Sequence, residues 1–596
     1  MATWPAIGPG EHDFSLGEEL HSSVTAERWC VTMRDLRHLR KQVCKALKHG
    51  EITPTARDAF DARDRSFGPT IYSVTDQFVK PVTAQAGGMS WALMRHPKGL
   101  KCDLFITHAW QEGIFEFVDK VLASWPRGTK NAWCCMLAIP QNLHISELIA
   151  TPSASPFARA LAFAPYMLVV PNHSGSIYTR LWCVYEAFLA YQWDKVVITA
   201  KRPSRWKEWR AMPLVVLCMC GGGALSSLLH LSESCLVATI AMFASYLVIL
   251  ASMLCTQPRL WRAVNYFGSI WAGGYFIALH SMPAHALEDT CFGEYEDYEE
   301  WRTWQMFYSV SMALFLAFSE VDRVRYEGAQ RESDELRKGY TGSVRDASCS
   351  SADDAASIRA EIDGCSDEVD RTVQVLTSAG MSTASLREAA ERGVDLEMFS
   401  TSSIAFRAIV VGRPGKNTSS TPHHDHLLLA VSITNLLLGL IWIIIQITGR
   451  RDVQTWSYLV AQKTIVVGVW PLILLVLALW VGGALPTTQM LLLVEIWSSF
   501  GWLLVVLLSW AHINRVARLP WIGRRLAQFY AARSPGALRK VWAPAKGQPC
   551  GSTSSASSAS SPEETEFSST DESQNSSGAR DAAAAPSRSL WPSPSL

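Results

Sequence analysis

The sequence predicts two fold classes in one chain: a three-layer α/β domain built on a parallel sheet, then an all-α region of helices that cross a membrane several times. Three observations carry this. Between residues 101 and 200, short apolar runs alternate with helical ones in the order β-α-β-α-β-α-β. Those runs are apolar throughout rather than at alternate positions, so both faces of the sheet need helices over them. From residue 213 onward, apolar stretches recur at about the 20-residue length that crosses hydrocarbon as a helix.

Taken in order, "CDLFITH" is a strand, "GIFEFVDKVLASW" a helix, "AWCCMLAIP" a strand and "FARALAFA" a helix. "YMLVVPN" is the next strand, "TRLWCVYEAFLA" a helix and "KVVITA" the closing strand. Crossovers between parallel strands are right-handed, and ligands collect outside the carboxyl ends of the strands. Thr107, His108 and Trp110 follow one strand end, and Asn172 to Arg180 follow another. Ahead of this domain, residues 1–60 form a polar arm and a basic amphipathic helix. Met33, Leu36, Leu39, Val43 and Leu47 make its apolar stripe, Arg34, Arg37, Arg40, Lys41, Lys45 and Lys48 fill its other faces, and Gly50 stops it. Such a helix suits an anionic surface or an acidic partner, or packs on the domain with a solvated basic face.

The domain is placed at 61–205. A first membrane cluster of about four spans follows at 213–320, then a polar helical insert at 321–426. A second cluster of about three spans occupies 427–511, and a basic flank with a Ser-rich tail fills 512–596. Glu495 lies inside the last span, where an acid is functional by default or sits at the interface. Lys201, Arg202, Arg205, Lys207 and Arg210 crowd the leading edge of the first span, which places the α/β domain in the cytosol. Arg515, Arg518, Arg524 and Arg525 ask the same of the C-terminal flank. An odd number of spans conflicts with that. Either the weak third span at 264–284 is no span, which would put the insert outside where Asn417 could carry a glycan, or 465–511 is a re-entrant hairpin turning at "LPTTQ"; the hairpin is the expectation adopted, with insert and tail in the cytosol. From Gly551 the tail is too poor in apolar residues to fold. Lys plus Arg number 54 and Asp plus Glu number 54, so no global charge favours nucleic acid as a partner. The 14 cysteines show no CxxC pair, as expected of reduced structural thiols.

Within "TRLWCVYEAFLA", Trp182 and Glu186 stand at i and i+4, one helical face. A carboxylate beside an indole serves a substrate site or is a tethered surface glutamate, and the spacing leaves both open. "CDLFITHAW", "MLVVPN" and "YTRLWCVYEAFLA", in this order, resemble a Toll/interleukin receptor (TIR) domain, whose third main helix carries a W-C-x-x-E box. The likeness covers residues 100–200; the family's RDxxPG loop is replaced by "PQNLHISELIATPSASP". In enzymatic members the box glutamate cleaves NAD, so the resemblance assigns that role to Glu186. It leaves Trp182, Arg180, Thr107, His108 and Trp110 to hold the substrate. NAD is then the substrate, with no cofactor and no metal. An anion beside the ribose stabilises an oxocarbenium-like state. Other TIR domains only self-associate or bind one another, and there the Trp-Cys pair packs the helix on the sheet. His108 is expected to be structural or interfacial more than an acid or base. "HHDH" at 423–426 reads as a juxtamembrane flank, since consecutive side chains diverge too far to share one metal centre.

Three functions follow: a membrane-anchored signalling or interaction module that self-associates through its TIR-like domain, a membrane-tethered NAD glycohydrolase using Glu186, and a channel or transporter with a regulatory TIR-like domain. The bilayer is a partner in all three, and the sequence does not say which membrane.

Overall fold

Six short strands form one mixed sheet in the computed structural model of the chain. They are β1 (Val31–Thr32), β2 (Leu104–Thr107), β3 (Asn131–Cys134), β4 (Tyr166–Val169), β5 (Val196–Thr199) and β6 (Met381–Ser382), ordered β1-β3-β2-β4-β5-β6. Residues 13–531 are described, apart from 282–294, 400–421, short gaps at 204, 230–234, 256, 350, 397–398 and 450, and much of 470–486. Asn417, the side chains of "HHDH" and the Ser-rich tail lie outside the described residues.

The four central strands are parallel. Leu104 stands opposite both Ala132 and Tyr166, and Tyr166 opposite Val196. β2 and β5 are buried at every position, as their unbroken apolar runs require. From β2 the chain steps one way to β3, then back past β2 to β4 and on to β5. Right-handed crossovers therefore place the helix Ile114–Ser124 on one face and the helices Pro156–Phe163 and Leu181–Gln192 on the other. Accordingly, Ile114–Ser124 packs with the basic helix Met33–His49, and Pro156–Phe163 packs with Leu181–Gln192.

The expectation of a purely parallel sheet is corrected at both edges. β1 pairs antiparallel with β3, and β6 pairs antiparallel with β5. An antiparallel edge needs no crossover helix, and two residues carry no periodic signal, so neither strand is visible in composition. β6 comes from the polar insert. The insert is helical as expected, with helices Ala352–Ile362, Ser366–Ala379 and Ala384–Glu391. Its middle helix lies against the Glu186 helix and β5, burying Val373 and Leu376 in the same core as β2 and β4. Ser348 of the insert also pairs with the chain just ahead of the Glu186 helix: Leu181 N–H donates to its carbonyl at 2.8 Å, and its own N–H donates to the Thr179 carbonyl at 2.9 Å.

Beyond Arg205 the described chain is almost entirely helical. Among the described residues two helices are long and apolar enough to cross a membrane, Arg210–Leu229 and Leu492–Ala517, fewer than the about seven spans expected; Ala244–Met253 and Ile433–Gln446 are shorter apolar helices. Pro258–Ser281 and Tyr295–Arg337 carry more polar and charged residues, Arg259, Arg262 and Asn265 in the first and Glu320 and Arg323 in the second. Neighbours in the first group run antiparallel. Ser252 bonds Asn265 at 2.7 Å and Ser245 bonds Trp271 at 2.9 Å, while Asn265 bonds Glu320 at 3.1 Å and Arg262 bonds Glu327 at 3.3 Å. In the second group the helices Pro422–Thr448 and Thr487–Ala517 run parallel, joined by Asn435–Glu495 at 2.7 Å and by Trp442 against Trp502 at 6.0 Å. Both end beside the insert: Thr383 donates to Asp452 at 3.0 Å, and Arg518 and Asn514 both reach Glu388.

Leu376→Ala, in the insert, is expected to destabilise the α/β domain by about 2–5 kcal/mol. Amide exchange in the full chain should then quicken in β5 together with Ser366–Ala379; unchanged protection of β5 would show that the insert is an independent unit.

Candidate functional site

The carboxyl ends of β2 and β3 lead to Glu186, through Thr107 and Cys135. A strand that is apolar on both faces leaves its first polar residue at its end, and here these are Thr107 and His108. Glu186 lies in the second turn of Leu181–Gln192, whose apolar face locks onto the sheet. Its side chain is 5% exposed, and Oε2 has no hydrogen-bond partner among the described residues. Thr107 Oγ1 is likewise buried, and it faces the Glu186 carboxyl. Burial pushes the Glu186 carboxyl up to about 8, with Thr107 and Arg180 pulling it partly back. The resting site thus holds a protonated acid next to a guanidinium.

His108 is 4% exposed and its ring packs against Phe117 at 4.8 Å. Nε2 lies 3.2 Å from Cys135 Sγ and 3.5 Å from Cys134 Sγ. Burial pushes the imidazole down to about 3, so it stays neutral and packs. The thiols of Cys135 and Cys183 are pushed up to about 12, again by burial first, which leaves them protonated and poorly nucleophilic. Among the described residues no group of three His, Cys, Asp or Glu side chains is arranged to hold a metal ion. Cys30, Cys102, Cys134, Cys135 and Cys183 of the α/β domain are free thiols, as expected of structural cysteines, whereas Cys365 of the insert is disulfide-bonded, against that expectation.

Arg180 reaches Gln111 at 3.4 Å, and Trp110 leans on Tyr72 with ring centroids 5.3 Å apart. Thr107 and Arg180 both act on the Glu186 carboxyl, and Trp110 and Glu186 both act on the Cys135 thiol. Trp182 does not present an open stacking face. Its indole N–H donates to Asp354 of the insert at 3.2 Å, and its ring stacks on Phe157 at 5.1 Å. Tyr185 is claimed similarly, donating to Glu361 at 2.5 Å. The insert therefore clasps the outer face of the helix whose inner face carries Glu186.

A second buried polar centre lies one turn further along from β2. Lys120 is fully buried, and its ammonium meets Glu116 at 3.0 Å, Glu335 at 3.0 Å and the Pro171 carbonyl. Arg202 adds contacts to Glu116 at 2.7 Å and Glu335 at 2.6 Å, and its backbone N–H donates to Glu332 at 2.8 Å. His173 Nδ1 stands 3.1 Å from Glu116. Glu112 is fully buried nearby with neither oxygen hydrogen-bonded among the described residues, and burial holds its carboxyl well above the usual range. No motif announces this centre. The i,i+4 pair Glu116–Lys120 inside an apolar helix is its one local signal; Glu335 arrives from more than two hundred residues away.

Comparison with known proteins finds no family model that matches the chain, no similar curated protein and no similar solved structure.

A carboxyl raised from 4.5 to about 8 on folding takes up a proton, so stability falls as pH rises through that window and levels off above it. Glu186→Gln removes the ionisation. The variant should melt like wild type near pH 4.5 and become more stable than it at pH 8, by about 4 kcal/mol. Parallel melting curves across this range would contradict the burial assigned to Glu186.

Proposed function

We propose that the chain is a multi-pass membrane protein whose α/β domain, similar to a TIR domain, lies in the cytosol and acts as a signalling and interaction module governed by the helices. One observation carries this: the helix Tyr295–Arg337 runs unbroken from the helix group into the α/β domain, where Glu332 and Glu335 meet Arg202 and Lys120. At 1.5 Å per residue it is about 65 Å long. A stiff rod seated in a buried charge cluster transmits a tilt or rotation, whereas a flexible linker does not. The cationic flank of the first span supports the cytosolic side. The ends of Pro422–Thr448 and Thr487–Ala517 share that side through Asp452, Asn514 and Arg518.

A second reading, NAD glycohydrolase, draws on the unpartnered Glu186 oxygen at the strand ends. A cationic transition state would recover the ionised carboxylate that burial disfavours in the resting site. The engagement of Trp182 by Phe157 and Asp354 weighs against it. For a channel or transporter, polar groups between the helices would need to line a path. Here Ser252, Asn265 and Ser319 bond one another, and Glu320 pairs with Arg323 at 2.7 Å.

The full chain in nanodiscs separates the first two readings. The module should co-purify as two differently tagged copies, consume no NAD, and keep its association in Glu186→Gln. An enzyme would consume NAD at a rate rising toward pH 8, and Glu186→Gln would lower it about a hundredfold to a thousandfold. For the coupling itself, Lys120→Met strands Glu116 and Glu335 together and should cost about 3–5 kcal/mol. Lys120→Met combined with Glu335→Leu should recover part of that in the melting temperature. If Lys120→Met melts like wild type, the cluster does not join helix to domain.

A further inference from the structure

The basic helix Met33–His49 carries an unused surface. Its Leu36, Leu39, Val43, Ala46 and Leu47 are buried against the domain. On the opposite side Arg34, Arg37, Lys41, Lys45 and Lys48 are all exposed, at steps of three and four residues, forming one stripe. Across about 14 positions it is roughly 21 Å long. None of the five makes an ion pair or hydrogen bond among the described residues, whereas Arg40 on the flank is bound to Asp119 at 2.8 Å. Other arginines of the domain are similarly spent, Arg95 on Asp35, Arg202 on Glu116 and Arg387 on Asp194. Five like charges in a row repel one another, so a counter-charge of matching length is stabilising there.

The chain supplies one. Residues 561–573, "SPEETEFSSTDES", hold Glu563, Glu564, Glu566, Asp571 and Glu572, and no Lys or Arg occurs from 551 to 579. Extended, 563–572 is about 30 Å long, enough to follow the stripe. The described chain ends at Ala531, which leaves about thirty residues as a tether. A random coil of that length has a root-mean-square reach of about 30 Å. Exposed ion pairs are worth about 0.2–1 kcal/mol each, too little to hold a free peptide tightly. A tether that raises the local concentration to about a millimolar makes such an affinity sufficient.

We propose that the acidic C-terminal segment 561–573 docks on the cationic stripe Arg34–Arg37–Lys41–Lys45–Lys48 of the same chain. Phosphorylation of Ser568, Ser569 or Thr570 adds about 1.5–2 negative charges each and tightens the contact.

The test uses full-length protein in nanodiscs of neutral lipid and a zero-length carbodiimide cross-linker read by mass spectrometry. Lys41, Lys45 and Lys48 should couple to acids within 563–572. The yield should be unchanged on dilution and should fall about tenfold between low and high salt. Replacing all five stripe residues by Gln should abolish labelled-peptide binding to a chain ending at residue 550, which keeps every described residue, while leaving its melting temperature unchanged. A peptide covering 556–576 should bind that shortened chain, and its triply phosphorylated form should bind at least several-fold tighter. Absence of stripe-to-tail cross-links would overturn the proposal. So would a yield that falls with dilution, which would make a second copy the partner. A third contrary result is protection of the stripe lysines from acetylation that requires anionic lipid and ignores the tail; it would assign the stripe to the membrane surface.

Discussion

The Lys120 ammonium is the constraint on which the arrangement turns. A cation with no exposed surface must be neutralised where it sits, because leaving it unpaired costs several kcal/mol. Glu116 on its own helix neutralises it in part, and the second carboxylate is Glu335, at the end of the helix Tyr295–Arg337. Arg202, just after β5, then balances the two acids. One buried charge thus binds three pieces of chain: the first crossover helix, the exit from the sheet and the return from the helix group. Moving any one of them breaks a charge pair in a medium of low dielectric, so the three move together.

The opposite edge of the sheet is held by a different set of contacts. β6 and the helix Ala384–Glu391 belong to the insert, and Thr383, Glu388 and Asp395 tie them to Asp452, Arg518 and Gln528 of the second helix group. Arg387 also reaches back to Asp194 at 3.2 Å, across the loop before β5. Of these contacts the Arg518–Glu388 pair is screened by solvent, whereas Thr383, Asp452, Arg387 and Gln528 are buried. The sheet is therefore tied to the helices at both of its edges.

What the sequence makes legible follows from range. The parallel strands and the helices between them are visible because burial on both faces writes an unbroken apolar run, and the nearness of Thr107, at the end of β2, to Glu186 agrees with that topology. β1 and β6 are too short to carry a period, and their partners are fixed by tertiary packing. Trp182 shows the limit most plainly. Its i,i+4 relation to Glu186 is correct as helix geometry, yet the residue that claims the indole, Asp354, lies in a segment with no local reason to be near. Glu112 and Glu335 escape for the same reason, since a charged residue in a polar-looking stretch signals exposure until its distant partner is known.

The position of Glu186 between these attachments gives the fold its functional logic. Its helix is bounded on the inner side by the sheet ends and on the outer side by insert residues Asp354 and Glu361, with Ser348 pairing just ahead of its first turn. The insert is continuous with the long helix that ends at Arg337, so the element that clasps the Glu186 helix is the same stretch of chain that anchors in the Lys120 cluster. A shift of the long helix that kept its charge pairs would pull on the clasp before it reached the sheet. The contacts at risk are the single hydrogen bonds from Trp182 and Tyr185, each worth on the order of 1–3 kcal/mol when a charged acceptor is involved. Against the several kcal/mol that protect the ion cluster, these are the ones that yield.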